Sequence, residues 1–185
     1  MNIFTKVALA TTTALTTLVP GAMAGYTYQG VALMDGSDFT GNERLAGDMI
    51  RSLTEMGVPV VDGGKEKVDI CIPDPEEGSY TLGFYVPARN LMVICTNVAD
   101  KATQFTTLTH EVVHVIQDAR HGMENSSLGE DDTIRYNRLV DGLNQDKVHI
   151  ISNFYDKEDW AVEVEAFFFQ DHPEVVATEL KKWAF

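Results

Sequence analysis

Cysteine is scarce in this chain, with 2 among 185 residues. That excludes a miniprotein built on disulfides and a zinc module with four thiolate ligands. Basic residues are scarce too: 14 Lys plus Arg stand against 28 Asp plus Glu, a formal net charge of −14. Nucleic acid and anionic membrane surfaces repel such a chain, so neither is expected as a partner. Beyond the N-terminus no stretch approaches the roughly 20 apolar residues of a membrane helix. Internal repeats and low-complexity linkers are absent as well. What is present is enough to fold. With 44% hydrophobic and 23% charged residues the chain is not disordered by composition, and its length suits one domain, or one domain with a leader.

Residues 1–24 read as a secretory signal. Lys6 is its only charge, an uncharged stretch runs from Val7 to Pro20, and Ala22-Met23-Ala24 puts small residues at the −3 and −1 positions of a cut after Ala24. The expectation is a secreted or periplasmic protein with a single mature domain over 25–185 and no membrane attachment after cleavage. Export would let Cys71 and Cys95 oxidise to one disulfide; two buried free thiols are the alternative.

Leu45, Met49, Ile50 and Leu53 recur at helical spacing within 42–56, and Gly57 stands where a helix would be capped. Four short β-prone runs follow, at 58–61, 68–72, 81–86 and 90–96. Pro73, Pro75 and Gly78 separate the second run from the third, and 87–89 form a tight link to the fourth. From Lys101 onward the pattern predicts helices over 103–121, 131–145, 147–155, 157–170 and 173–183, with Gly122 stopping the first. Strands before helices, with one early helix, predict an α+β domain.

His110-Glu111-Val112-Val113-His114 is an H-E-x-x-H sequence. On a helix, positions i and i+4 lie about 40° apart around the axis and one turn apart along it, so both imidazoles can reach one metal ion. Glu111 sits roughly 100° round from His110, placed to take a proton from an activated water. Phe105, Leu108, Val112, Val115, Ile116 and Ala119 share one face of this helix, and His110, His114, Gln117 and His121 share the opposite one. A helix buried through the first face would show its histidines to a cleft. A surface pair of histidines on an amphipathic helix is the other reading.

A catalytic zinc takes three protein ligands plus water. The metzincin extension would need Gly at 117 and His at 120, where this chain has Gln117 and Arg120. His121 lies about 16 Å along the axis from His110, too far to share an ion. The best source of a third ligand is the apolar segment 159–167, which carries Glu163 and Glu165. These two point about 160° apart on a helix, so only one can serve, and two surface glutamates remain the alternative. His149 and His172 are further options, each also readable as a solvent-touching or capping histidine.

These residues resemble the gluzincin group of zinc metallopeptidases. There an H-E-x-x-H helix is joined by a glutamate of a later helix in a pattern E-x-x-A-[DN]. Glu163-Val164-Glu165-Ala166 matches E-x-x-A, so the resemblance implies Glu163 as third ligand. Phe167 stands where the family has the acid or amide that steadies a zinc-binding histidine. The resemblance spans about residues 68 to 170. It includes Gly83-Phe84-Tyr85 and Asn90 to Ile94, similar to the strand pair ahead of the active-site helix. It implies a zincin-like fold, with a small twisted mixed sheet, an antiparallel edge strand and a helical C-terminal part packed with the H-E-x-x-H helix. In a simple meander, strands 68–72 and 91–96 would lie about 9.5 Å apart, beyond the roughly 7 Å a disulfide spans. The implied sheet instead puts 81–86 at the edge, open to an extended peptide by strand addition, and makes the two Cys-bearing strands neighbours.

The function implied is zinc-dependent hydrolysis of a peptide or protein substrate. His110, His114 and Glu163 hold Zn²⁺, and Glu111 is the general base. Tyr155 or His149 stabilises the oxyanion, and Gln117 faces the cleft to hold a ligand shell or substrate. Two rivals stand beside it. One is a secreted binding protein that keeps the zinc without turnover, which Phe167 favours. The other is a structural envelope or virion component whose histidines are incidental.

Overall fold

Residues 30–73, 80–121 and 133–184 are described by the computed structural model. The signal segment 1–24 and the stop at Gly122 lie outside them. The first helix, α1 (Glu43–Glu55), forms where the apolar spacing predicts it and turns Ala46, Met49, Ile50 and Leu53 inward. Gly57 follows with φ of 78°, a left-handed conformation open to glycine without strain.

Three strands make one mixed sheet. β1 (Val60–Asp62) runs parallel to β3 (Leu91–Ile94), and β2 (Gly83–Val86) pairs antiparallel with β3 on its other side. The order is β1-β3-β2, which puts the antiparallel strand at the edge. Alternation sorts the side chains. Val60, Tyr85, Met92 and Ile94 join the core beneath the helices. Val61, Phe84, Val86, Leu91, Val93 and Cys95 face the other way, where Val68 and Cys71 cover them. All four residues of β2 are buried, so strand addition would meet a covered edge.

One predicted strand is absent. Residues 68–72 instead carry a 3₁₀ turn over Asp69–Cys71, closed by Cys71 N–H on the Val68 carbonyl (2.8 Å) and Ile72 N–H on the Asp69 carbonyl (3.0 Å). β1 already occupies the free side of β3, so this run has no ladder to join and spends its apolar residues covering the sheet. The Cys71–Cys95 disulfide is present, with Cα atoms 5.2 Å apart. It ties that turn to the residue just past β3, rather than joining two neighbouring strands.

Five helices follow: α2 (Lys101–His121), α3 (Thr133–Gly142), α4 (Gln145–Phe154), α5 (Trp160–Phe169) and α6 (Pro173–Leu180). The Thr103 N–H donates to the Asp100 side chain (2.8 Å) at the start of α2, and Pro173 opens α6 where its missing N–H costs nothing. α2 packs on β2 and β3 with one side and on α5 and α6 with another. Its approach to β2 is close enough to require glycine at 83. A Cβ there would lie 2.6 Å from Thr107 Cγ2 and 2.9 Å from the Val93 carbonyl oxygen. The domain is thus α+β, with a three-stranded mixed sheet and six α-helices among the described residues, none long and apolar enough to cross a membrane.

Candidate metal centre

α2 brings His110 and His114 one turn apart, both buried, with their Nε2 atoms 3.1 Å from each other. α5 supplies the third group. Its sequence is apolar on nearly every side, so the helix is buried all round, and Glu163 and Glu165 are buried with it. Glu163 Oε2 lies 3.4 Å from His110 Nε2, and Oε1 lies 3.5 Å from His114 Nε2. Among the described residues neither oxygen meets a donor within ordinary hydrogen-bond distance, the Tyr155 hydroxyl being the one that approaches. Glu165 points elsewhere, to Gln117 and Arg135. Of the two glutamates left open by the sequence, Glu163 is the one that meets the histidines.

Two glutamines set the state of the imidazoles. Gln117 Nε2 donates to the Val162 carbonyl (3.0 Å) and to Glu165 Oε2 (2.9 Å). Both are acceptors, so the amide can face only one way, and its Oε1 lies 2.8 Å from His114 Nδ1. That nitrogen must carry the ring proton, which leaves a lone pair on Nε2. Gln170 Oε1 lies 3.0 Å from His110 Nδ1, an arrangement that matches the same tautomer on the other ring. Burial holds His110 neutral by lowering its pKa to about 4, and burial lowers that of His114 too. Two nitrogen lone pairs and a carboxyl group therefore converge, and burial inclines only the carboxyl among the three to hold a proton.

Such a cluster could hold a metal ion. Ligands about 2.0–2.1 Å from a common ion at tetrahedral angles stand roughly 3.3 Å apart, against 3.1, 3.4 and 3.5 Å here. The neutral imidazoles are already in the state that ligation needs, and the carboxyl reaches it on losing its proton.

Glu111 is buried beside the cluster, and its Oε1 has no partner. Burial, then repulsion from Glu163, raises its pKa well above the ordinary range, while the Tyr85 backbone N–H on β2 favours its charged form. The Tyr155 hydroxyl is also buried and approaches Glu163 without closing a full hydrogen bond. Burial first, then the charges of Glu163 and Glu111, keep it protonated. A cavity of about 210 Å³ lies alongside, walled by Leu82, Thr107, Ile150 and Phe167 next to His110 and Glu111.

The other sequence candidates stand apart. His149 is exposed on α4, 3.0 Å from the Asn153 amide, and does not line this cavity. His172 stands at the start of α6 against Phe168 and Phe169. Phe167 packs edge-on to the His110 ring with centroids 4.8 Å apart, so it fixes that ring by contact. The polar partner of His110 is Gln170, which sequence reasoning missed. Its signal was a polar residue at the end of the apolar run, seven positions and two turns after Glu163.

No curated protein and no solved structure matches the chain. Residues 64–185 do match a family, described as Domain of unknown function (DUF8637), and this stretch holds the whole cluster together with Glu111, Gln117 and Gln170. Since the match covers most of the chain, the protein belongs to the DUF8637 family.

Proposed function

We propose that the protein is an exported zinc-dependent peptidase of zincin-like fold. One observation carries this reading: the Glu163 carboxylate is buried, has the Tyr155 hydroxyl as its one nearby donor among the described residues, and faces two imidazole lone pairs. A buried carboxylate in that setting costs several kcal/mol unless a cation meets it. His110, His114 and Glu163 would be the ligands, a His₂Glu set of the kind used by catalytic zinc. A bound Zn²⁺ would supply a water of lowered pKa and an electrophile for the peptide carbonyl.

The chain's own groups do the rest. Glu111 takes a proton at Oε1, the oxygen left without a partner, and returns it to the leaving amine. Tyr155, protonated and set beside Glu163, donates toward the charge that develops on the carbonyl oxygen. With the edge of β2 covered, the substrate enters by the cavity walled by Leu82, Thr107, Ile150 and Phe167, which favours an apolar side chain. The Cys71–Cys95 bridge supports export, because such bonds persist in oxidising compartments. The signal read over residues 1–24 would provide the route.

The test is elemental analysis of the purified protein together with a peptide-cleavage assay. One zinc per chain is expected, with hydrolysis abolished by a chelator and restored by Zn²⁺. Glu111→Gln should keep its zinc and lose at least about 10²-fold in rate. Equal background from the wild type, the chelated protein and the variant would end the peptidase reading. Zinc retained without hydrolysis would favour the binding-protein rival, although Gln170 now fills the role whose loss suggested it. No stoichiometric zinc would leave the structural-component rival.

A further inference from the structure

We infer that Glu165, with Arg135 behind it, is a positioning residue for the metal centre: it locks the Gln117 amide in the orientation that leaves His114 Nε2 unprotonated. The consequence for metal binding rests on the proposed function, whereas the effect on the imidazole does not. The chain of contacts crosses three helices. His114 and Gln117 are on α2, Glu165 is on α5 and Arg135 is on α3. Glu165 is 2% exposed and receives Arg135 Nη2 at 2.7 Å, with Arg120 Nη1 at 4.0 Å. Arg120 is shared with Glu179 of α6, so Arg135 is the closer and less divided partner of Glu165.

An amide is nearly symmetric in shape, so only its partners decide which end faces His114. Turned over, Gln117 would aim its NH₂ at Nδ1, drive the ring proton to Nε2 and point it into the cluster, where it would repel a cation. The Val162 carbonyl opposes that turn, and a charged carboxylate opposes it more strongly because charge-assisted bonds are the stronger kind. The Arg135 guanidinium and, further off, that of Arg120 face the Glu165 carboxylate from its other side. Arg135 is 39% exposed and borders a cavity of about 100 Å³ with Arg120, Gln117 and Glu165, so the outer end of the relay meets solvent.

Two readouts test this on the full mature chain. The first is Zn²⁺ affinity by competition with a chromophoric chelator. The second is the His114 tautomer in the metal-free protein from its imidazole ¹⁵N shifts. Gln117→Leu and Glu165→Gln should each weaken Zn²⁺ binding about 10–100-fold, as loss of groups behind a metal ligand does. The double variant should bind no more weakly than Gln117→Leu alone, because Glu165 acts through Gln117. Arg135→Met, at a half-exposed position, should weaken binding in the same direction by less, since Arg120 remains. In the metal-free wild type His114 should be protonated on Nδ1, and Glu165→Gln should move protons to Nε2. Affinity within twofold of wild type and an unchanged tautomer in Glu165→Gln would overturn the inference, even if thermal stability fell. So would additive losses in the double variant. A wild type that binds no zinc would sink the proposed function, and the tautomer would still decide the relay.

Discussion

Replacing Glu163 by Gln should stabilise the metal-free protein at high pH and destabilise it when zinc is present. The wild-type carboxyl is fully buried, and burial moves its pKa from an ordinary 4.5 to about 7. Unfolded, the group ionises near 4.5; folded, it keeps its proton to about 7. Within that window the native state binds more protons than the unfolded state, so stability falls as pH rises. Below it both states are protonated and the penalty vanishes. Above it the penalty is complete, on the order of 3 kcal/mol. A glutamine has no charge to bury and escapes it. Urea unfolding of the chelator-treated proteins at pH 5 and pH 8 reads the difference. The variant should gain roughly 3 kcal/mol on the wild type at pH 8 and about 1 kcal/mol at pH 5, just inside the window. The histidines impose their own pH dependence, which the two chains share except for the part that the Glu163 charge exerts on His114 and Glu111. Zinc at a thousandfold excess over its Kd should then lift the wild type by about 4 kcal/mol and the variant by far less. A variant no more stable than wild type at pH 8 without metal would refute the claim that Glu163 is buried without compensation. Equal stabilisation of both chains by zinc would refute its place among the ligands.

Other perturbations reach other parts of the argument. Cys71→Ser with Cys95→Ser opens a loop closed across 24 residues and should cost about 3 kcal/mol by urea unfolding under oxidising conditions. Reduction of the wild type should reproduce that loss. Gly83→Ala places a methyl 2.6 Å from Thr107 Cγ2 and 2.9 Å from a backbone oxygen, for a loss of about 1–3 kcal/mol. An unchanged midpoint would show that α2 is not pressed on β2. Gln170→Leu removes the acceptor at His110 Nδ1 and should weaken Zn²⁺ binding about 10–100-fold by chelator competition, with little change in unfolding.

Much of this was legible before the fold was known, and the gaps have physical causes. The spacing of Leu45, Met49, Ile50 and Leu53 announced α1, because only one side of that helix meets the core. The H-E-x-x-H spacing put His110 and His114 together, since one helical turn dictates it. Choosing between Glu163 and Glu165 was harder because α5 is buried on all sides, and amphipathicity has nothing to say about such a helix. The run 68–72 misled for a related reason. Apolar residues that lie over a sheet face satisfy the same pattern as residues within a strand. Gln117 was read as facing the cleft, but its hydrogen bonds to Val162 and Glu165 depend on how α5 crosses α2, a matter of tertiary packing. Gln170 escaped because a neutral amide at the end of a helix carries no spacing rule.

The amides behind the two imidazoles also bear on reactivity. A carboxylate in that position would push electron density through the ring onto the ion; an uncharged glutamine lends far less. Behind the imidazoles, the nearest carboxylate stands one group further back, on the far side of Gln117. An ion seated here would thus keep more of its own positive character and act as a sharper Lewis acid, so under the proposed function hydrolysis would remain active further into mildly acidic solution than it would with two anionic supports.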